Sequence, residues 1–341
     1  MSVEPHRIPF RTFREERPGG SWSQLFTEAW PPYRRWFLGE GEAARPSRAR
    51  SEAALRHHMP ELVPIYEALV ELAGGDELAA RFLAHYCPAP YLSGCSQLVW
   101  SRPEPVLIRN YDYRPDLWEA TLVHTAWQGV RVIAMSEVLW GVLDGMNEHG
   151  LAVSLAFGGR RVVGAGFGIP LVLRYVLQTC ATVAQAADVL RRVPTHMAYN
   201  VSVVDARGSF ATVQVSPDRP AVVLSAPVAT NHQGLVEWHQ HARMTSTTER
   251  ERFLSSRIAD PHESPERLEE RFLEPPLFSR DYDNAFGTLY TAAYRPARGE
   301  VRLRWRDQSV EQSFESFEDQ TVDLEFEPIP ASPATQEPAG S

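Results

Sequence analysis

The spacing of apolar positions changes near residue 94. Between residues 51 and 86 they recur every three or four residues, the period of an amphipathic helix. Leu62, Ile65, Leu69 and Leu72 form one such stripe, opened by Pro60 and stopped by Gly74-Gly75. Asp76 stands where the N-cap of a further helix, residues 77–86, is expected, and Pro88 and Pro90 close the block. From Gly94 onward alternation takes over. It predicts three hairpins: residues 94–100 with 106–113, residues 120–127 with 130–135 across Gln128-Gly129, and residues 137–144 with 151–157 across a turn at 147–150. A Gly-rich stretch, 158–168, reads as a flexible loop over a pocket. Two helices follow, 170–178 and 183–192, the first with Pro170 in its opening turn. Strands resume at 200–205, 210–215 and 221–224, and the polar stretch 239–281 predicts one or two surface helices. A last hairpin pairs 288–294 with 301–305. Residues 1–50, rich in Arg, Pro and Glu, read as an irregular arm with one or two short helices, and the Pro/Ala/Ser-rich tail 328–341 reads as disordered. Strand block, helix pair, strand block and helices in this order predict an α+β fold with mainly antiparallel pairing.

Composition narrows the function classes. The 341 residues carry a net charge of -9, which gives no reason to expect nucleic acid as a partner. No apolar run reaches the length of a membrane span, and the first residues lack the apolar core of a signal peptide, so a cytoplasmic location is expected. Three cysteines, Cys87, Cys95 and Cys180, do not suggest a disulfide framework; Cys87 and Cys180 read as packing residues. The glycines at 164, 166 and 168 do not follow the G-x-G-x-x-G spacing, and His239 and His241 stand without H-E-x-x-H or C-x-x-C, so no cofactor and no metal are expected.

The chemistry concentrates at Cys95. The first hairpin sets Arg109 and Asp112 on the strand opposite this cysteine. A nearby guanidinium favours the thiolate that attacks a carbonyl, and a carboxylate can hold an amine. Three residues apart, Arg109 and Asp112 lie on opposite faces of a regular strand. Both reach Cys95 only if the strand end kinks, or if one addresses the thiol and the other the backbone nitrogen. No local Cys-His signature supplies a base. The α-amino group of Cys95 itself is a candidate, freed if the Gly94–Cys95 bond is cut; such amines ordinarily titrate at about 7.7–8.0. Cys95 also reads as a buried structural cysteine beside a surface Arg and a turn Asp.

Gly94-Cys95-Ser96 followed by Ile108-Arg109-Asn110-Tyr111-Asp112-Tyr113 resembles the opening of the penicillin acyltransferase-like thiol enzymes, relatives of isopenicillin N acyltransferase, choloylglycine hydrolase and acid ceramidase in the N-terminal nucleophile superfamily. The likeness continues in the 143–151 hairpin, Leu-Asp-Gly-Met-Asn-Glu-His-Gly-Leu, in Val228-Ala229-Thr230-Asn231-His232, and in Gly287-Thr288-Leu289-Tyr290. The ordered set spans residues 91–306; the residues before it match no motif.

The resemblance implies an αββα sandwich of two stacked sheets flanked by helices. It implies that the side chain of Asn231, by itself a turn asparagine, helps form an oxyanion hole. Asn147 reads as a hairpin turn residue at least as well as a catalytic one. Residues 155–158 hold no asparagine where choloylglycine hydrolases find a second oxyanion donor, so a backbone N–H near Phe157 or Gly158 would have to serve. Arg250, by itself part of a solvated charged helix, takes the place of the arginine that braces the family's site, with Arg243 and Arg252 as alternatives. The expected organisation is a segment 1–94 cleaved from the catalytic part but still bound to it, a catalytic domain 95–327, and the tail. The expected function is a self-processing thiol amidohydrolase or acyltransferase on linear C–N amide bonds, with a small acyl amide or acyl thioester as substrate. Two alternatives stand beside it: an unprocessed thiol hydrolase with a histidine base such as His232, and an inactive binding or scaffold protein of the same fold.

Overall fold

The computed structural model describes residues 5–327. The tail expected to be disordered, 328–341, lies outside the described residues. Alternating patterns from Gly94 onward form hairpins, and these assemble into two sheets. Among the described residues, one sheet has nine strands in the order Val222–Leu224, Phe210–Val215, Tyr199–Asp205, Leu151–Phe157, Gly141–Asn147, Val132–Glu137, Thr121–Thr125, His6–Glu15 and Gln320–Phe326. The other runs Val228–Ala229, Gly94–Trp100, Val106–Tyr113, Phe286–Arg295, Glu300–Arg304 and Ser309–Ser313, with Arg280–Asp281 paired beside Phe286–Arg295. Between these strands the pairings are antiparallel except His6–Glu15 against Thr121–Thr125.

The sheets stack, with Gly94–Trp100 and Val106–Tyr113 packed on Leu151–Phe157 and Tyr199–Asp205. Helices Ile169–Thr179 and Val183–Arg192 cover the outer face of the larger sheet. The second begins at a capping box in which Thr182 and Gln185 satisfy each other's backbone N–H groups. Helices Thr247–Ile258 and Pro265–Arg271 cover the outer face of the smaller sheet, over a satellite core of Leu98, Ile108, Leu254, Leu268 and Phe272. The architecture is the αββα sandwich. Among the described residues no helix is long and apolar enough to cross a membrane.

Several expectations fail locally. Residues 5–50 are not an irregular arm. His6–Glu15 is a strand inside the larger sheet, and Gly20–Phe37 is a helix that runs through Pro31 and Pro32. Its aromatic stripe explains this: Trp22, Phe26 and Trp30 stack in series at 5.3 and 5.6 Å and bury the helix against the body. Residues 137–144 are not one strand. Val138 and Leu139 adopt left-handed backbone (φ 57° and 72°) and break it. The Gly-rich stretch is anchored at its end: Phe167 is fully buried and a Cβ on Gly166 would stand 2.4 Å from the Thr195 backbone, while residues 161–165 lie exposed or half-buried at the surface. The polar stretch holds three short helices, His239–Met244, Thr247–Ile258 and Pro265–Arg271, where one or two were expected.

Candidate active site

Register places the candidate residues. Gly94–Trp100 pairs with Val106–Tyr113 so that Gly94 faces Asp112, Cys95 faces Tyr111 and Gln97 faces Arg109. Side chains alternate across a strand. Cys95, Gln97, Arg109 and Tyr111 therefore point into the space between the sheets, while Ser96, Asn110 and Asp112 point out toward the helices over the smaller sheet. No kink is needed. Arg109 addresses the thiol and Asp112 works on the far side of the same backbone.

On the inner face Arg109 Nη2 donates to Cys95 Sγ at 3.1 Å. Arg109 is fully buried, and its Nη1 donates to Asp144 Oδ2 at 2.5 Å and to the Leu143 carbonyl at 3.1 Å. Asp144 comes from the opposite sheet and also accepts the hydroxyls of Tyr290 at 2.5 Å and Tyr294 at 2.6 Å. Burial works against the Arg109 cation, but Tyr290, Asp144 and Cys95 outweigh it and raise its pKa further.

On the outer face Arg250 is the hub. Its Nη1 donates to the Cys95 carbonyl at 2.9 Å, to Ser96 Oγ at 2.9 Å and to Asp112 Oδ2 at 3.1 Å; its Nη2 donates to Asn231 Oδ1 at 2.7 Å. Arg243 and Arg252, the alternatives, make no such contact. Asn231 arrives because the short strand Val228–Ala229 pairs with Leu98 and Gln97 and carries the chain on past Cys95. Its Oδ1 accepts the Cys95 N–H at 3.0 Å, and its Nδ2 donates to the Phe157 carbonyl at 3.1 Å. Thr247 fixes it by accepting the Asn231 N–H at 2.7 Å. Asp112 Oδ1 accepts from Thr288 Oγ1 at 2.8 Å. A Cβ on Gly94 would stand 2.9 Å from Asp112 Cβ and 3.2 Å from its Oδ2, so only glycine lets this carboxylate border residue 94 so closely.

Burial pushes the Cys95 thiol up, and Asp112 adds to this against the pull of Arg109 and Arg250. Burial likewise raises Asp112 and lowers Arg250, while each opposes the shift of the other.

Cys95, Arg109, Asp112, Asn231 and Arg250 thus converge. Other candidates are placed differently. Gly158 N–H is committed to the Ala198 carbonyl at 2.8 Å and offers no second oxyanion donor in this arrangement, while Phe157 presents its carbonyl to Asn231. Asn147 clips its turn, donating to the Leu177 and Cys180 carbonyls and accepting the Leu151 N–H. His232 is engaged elsewhere, with Nδ1 on Thr247 Oγ1 and Nε2 on Glu251. Asp144, Thr288, Tyr290 and Tyr294 hold parts of the site that sequence reasoning did not single out. The first three lie inside the 143–151 and 287–290 motifs.

A model of the acyl-coenzyme A:6-aminopenicillanic acid acyl-transferase family matches residues 100–309. Curated proteins give no match. Among solved structures, a mutant conjugated bile acid hydrolase from Clostridium perfringens is 12% identical, covers 67% of this chain and 96% of its own, and has a TM-score of 0.48. Penicillin V acylase from Agrobacterium tumefaciens is 17% identical over 67% and 90%, with a TM-score of 0.45. A Caenorhabditis elegans ortholog of N-acylethanolamine-hydrolyzing acid amidase is 18% identical over 67% and 100%, with a TM-score of 0.42. With its family model matched across residues 100–309, the chain belongs to the acyl-coenzyme A:6-aminopenicillanic acid acyl-transferase family.

Proposed function

We propose that this chain is a self-processing thiol amidohydrolase or acyltransferase that acts on linear C–N amide bonds with Cys95 as its N-terminal nucleophile. The observation that carries this reading is the division of labour around one residue. The thiol of Cys95 meets Arg109, while its N–H and C=O are held by Asn231 and Arg250. A merely structural cysteine has no need of three polar side chains on three of its atoms.

In the processing step Cys95 Sγ attacks the Gly94 carbonyl carbon and the thiol proton passes to the departing Cys95 nitrogen. The Gly94–Cys95 amide becomes a thioester with a free α-amine. Water then cleaves the thioester, leaving a Gly94 carboxylate and the restored thiol. In turnover the α-amine takes the thiol proton and the sulfur attacks the substrate amide. The proton goes to the departing amine, and the acyl group passes from sulfur to water or to an acceptor amine. Arg109 stabilises the thiolate. Asp112, bordering residue 94, holds the α-amine. Asn231, released from the Cys95 N–H, turns its amide toward the oxyanion, and Arg250 braces Asn231 and Asp112.

The upstream segment stays bound after the cut. Its strand His6–Glu15 is hydrogen-bonded between Thr121–Thr125 and Gln320–Phe326, both downstream of Cys95. Mass spectrometry of purified protein tests the reading. Wild type should give two fragments, 1–94 and 95–341, that coelute under native conditions and separate in denaturant. Cys95→Ala should give one intact chain. Normal cleavage in Cys95→Ala, or full activity of an uncut wild-type chain, would refute it.

A further inference from the structure

A cavity of about 280 Å³ lies between helix Gly20–Phe37 and the sheets. Leu25, Ala29 and Trp36 form the helix side, Trp118 stands among the sheet-side residues, and Glu119 and Glu137 both line it. Glu119 is well supplied with donors. It accepts Tyr33 Oη at 2.6 Å, Ser136 Oγ at 2.9 Å and Leu139 N–H at 2.6 Å. Glu137 is not. It is 5% exposed, its Oε1 meets Tyr33 Oη at 3.1 Å, and its Oε2 is buried with no partner. Tyr33 has one hydroxyl proton, and the shorter contact to Glu119 takes it. Glu137 is left wanting a donor on both oxygens.

A buried carboxylate without donors is costly. Here burial and the neighbouring Glu119 push its pKa well up. The other charges on the cavity do not relieve it: Arg11 pairs with Glu28, and Asp116 pairs with Arg114. The left-handed backbone of Val138 and Leu139 directly follows Glu137 and fixes where its strand ends. What would satisfy Glu137 as a carboxylate is a group that carries both N–H donors and positive charge. Aromatic faces suit the same group, and Trp36, Tyr91, Tyr113 and Trp118 line the cavity. Tyr113 lines the cavity, its ring packs 5.8 Å from that of Tyr111, and Tyr111 pairs directly across from Cys95, so Tyr111 and Tyr113 lead from the thiol to the cavity.

We propose that this cavity receives an alkyl- or arylalkylammonium group of the substrate, with the Glu137 carboxylate as its hydrogen-bonding counterion and the helix Gly20–Phe37 as its apolar wall. The assignment of that group to a substrate rests on the Cys95 reading; its binding does not. The upstream segment then shapes specificity even after it is cut away.

Isothermal titration of the full chain at neutral pH with benzylammonium chloride, and with benzyl alcohol as its uncharged counterpart, tests this. Wild type should bind the ammonium at least about tenfold more tightly than the alcohol, as expected for one charge-assisted hydrogen bond. Glu137→Gln keeps the shape and should lose that preference while binding the alcohol as before. Ala29→Phe, which fills the cavity without touching Glu137, should abolish binding of both and remains decisive if Glu137→Gln does not fold. The same titration on Cys95→Ala should match wild type, so a failure of the thiol chemistry leaves this result standing. Equal affinity for ammonium and alcohol in wild type, no binding of either, or undiminished ammonium binding in Glu137→Gln or Ala29→Phe would overturn the proposal.

Discussion

Asp144 offers the sharpest test of how the thiol is held, because it touches neither Cys95 nor the Gly94–Cys95 bond. Its carboxylate is fully buried and accepts three donors, Arg109 Nη1, Tyr290 Oη and Tyr294 Oη. Asp144→Asn keeps the volume but removes the charge and turns one acceptor into a donor. Arg109 is then a buried cation without its carboxylate, and one tyrosine hydroxyl loses its acceptor. Removing one partner of a buried pair costs about 3–5 kcal/mol, and an orphaned hydroxyl costs about 1–3 kcal/mol. The two overlap, since the same amide group is responsible for both. We expect a loss of about 3–5 kcal/mol. Urea unfolding in the Cys95→Ala background, where processing cannot vary, measures it. The double variant Arg109→Met/Asp144→Asn removes both charges and should lie closer to the parent than Asp144→Asn alone, with a coupling of about 1–3 kcal/mol. With Cys95 present, Asp144→Asn should also slow processing, because a guanidinium freed from its anchor no longer holds its 3.1 Å contact to the sulfur. A loss below about 1 kcal/mol, or strictly additive effects in the double variant, would show that Asp144 does not organise Arg109.

Arg109→Lys keeps the charge but loses the planar fork that serves the thiol and Asp144 at once; it should fold and turn over substrate far more slowly, and wild-type rates would remove Arg109 from the chemistry. Gly94→Ala puts a Cβ 2.9 Å from Asp112 Cβ, an overpacking of about 1–3 kcal/mol. A mass-spectrometric time course should show slowed cleavage in folded protein, and an unchanged rate would mean that the strands yield freely there. Burial depresses His85 to about 3 and His196 to about 4. In the unfolded chain the imidazoles take up protons below the ordinary histidine value of about 6.5, while the folded ones stay neutral. The unfolded chain therefore binds more protons, and stability falls as pH drops from about 6.5 toward 4, by up to about 1.4 kcal/mol per pH unit for each histidine. His85→Gln should flatten the fall of Tm over that range, and an unchanged slope would exclude His85 as a source.

How much of this was legible depends on how far away each residue's partners lie. The hairpins were readable because alternation is a local signal, and so was Asp76, whose side chain caps residues 77–83 by accepting Ala79 N–H at 2.7 Å. The strand His6–Glu15 was not, because only Phe10 and Thr12 are buried along it and two positions make no pattern. The inner-face pair Cys95 and Arg109 followed from hairpin register alone. What supports Arg109, however, comes from the other sheet, and no spacing in the chain announces that Asp144 will stack above it. The outer face shows the same limit. Asp112 looked misplaced for Cys95 until Arg250, far along the chain, bridged it to the Cys95 carbonyl. Arg250 sits on a helix so charged that its sequence reads as solvent-facing; only the packing of Leu254, one turn on, over Leu98 and Ile108 turns that arginine inward. One strand thus separates two polar networks, one anchored on Asp144 and one on Arg250, and Cys95 is where they meet. Cutting its N-terminal bond would release one atom of this residue, the nitrogen, while the sulfur and the carbonyl stay held, which is the geometry a nucleophile needs if its own amine is to become its base.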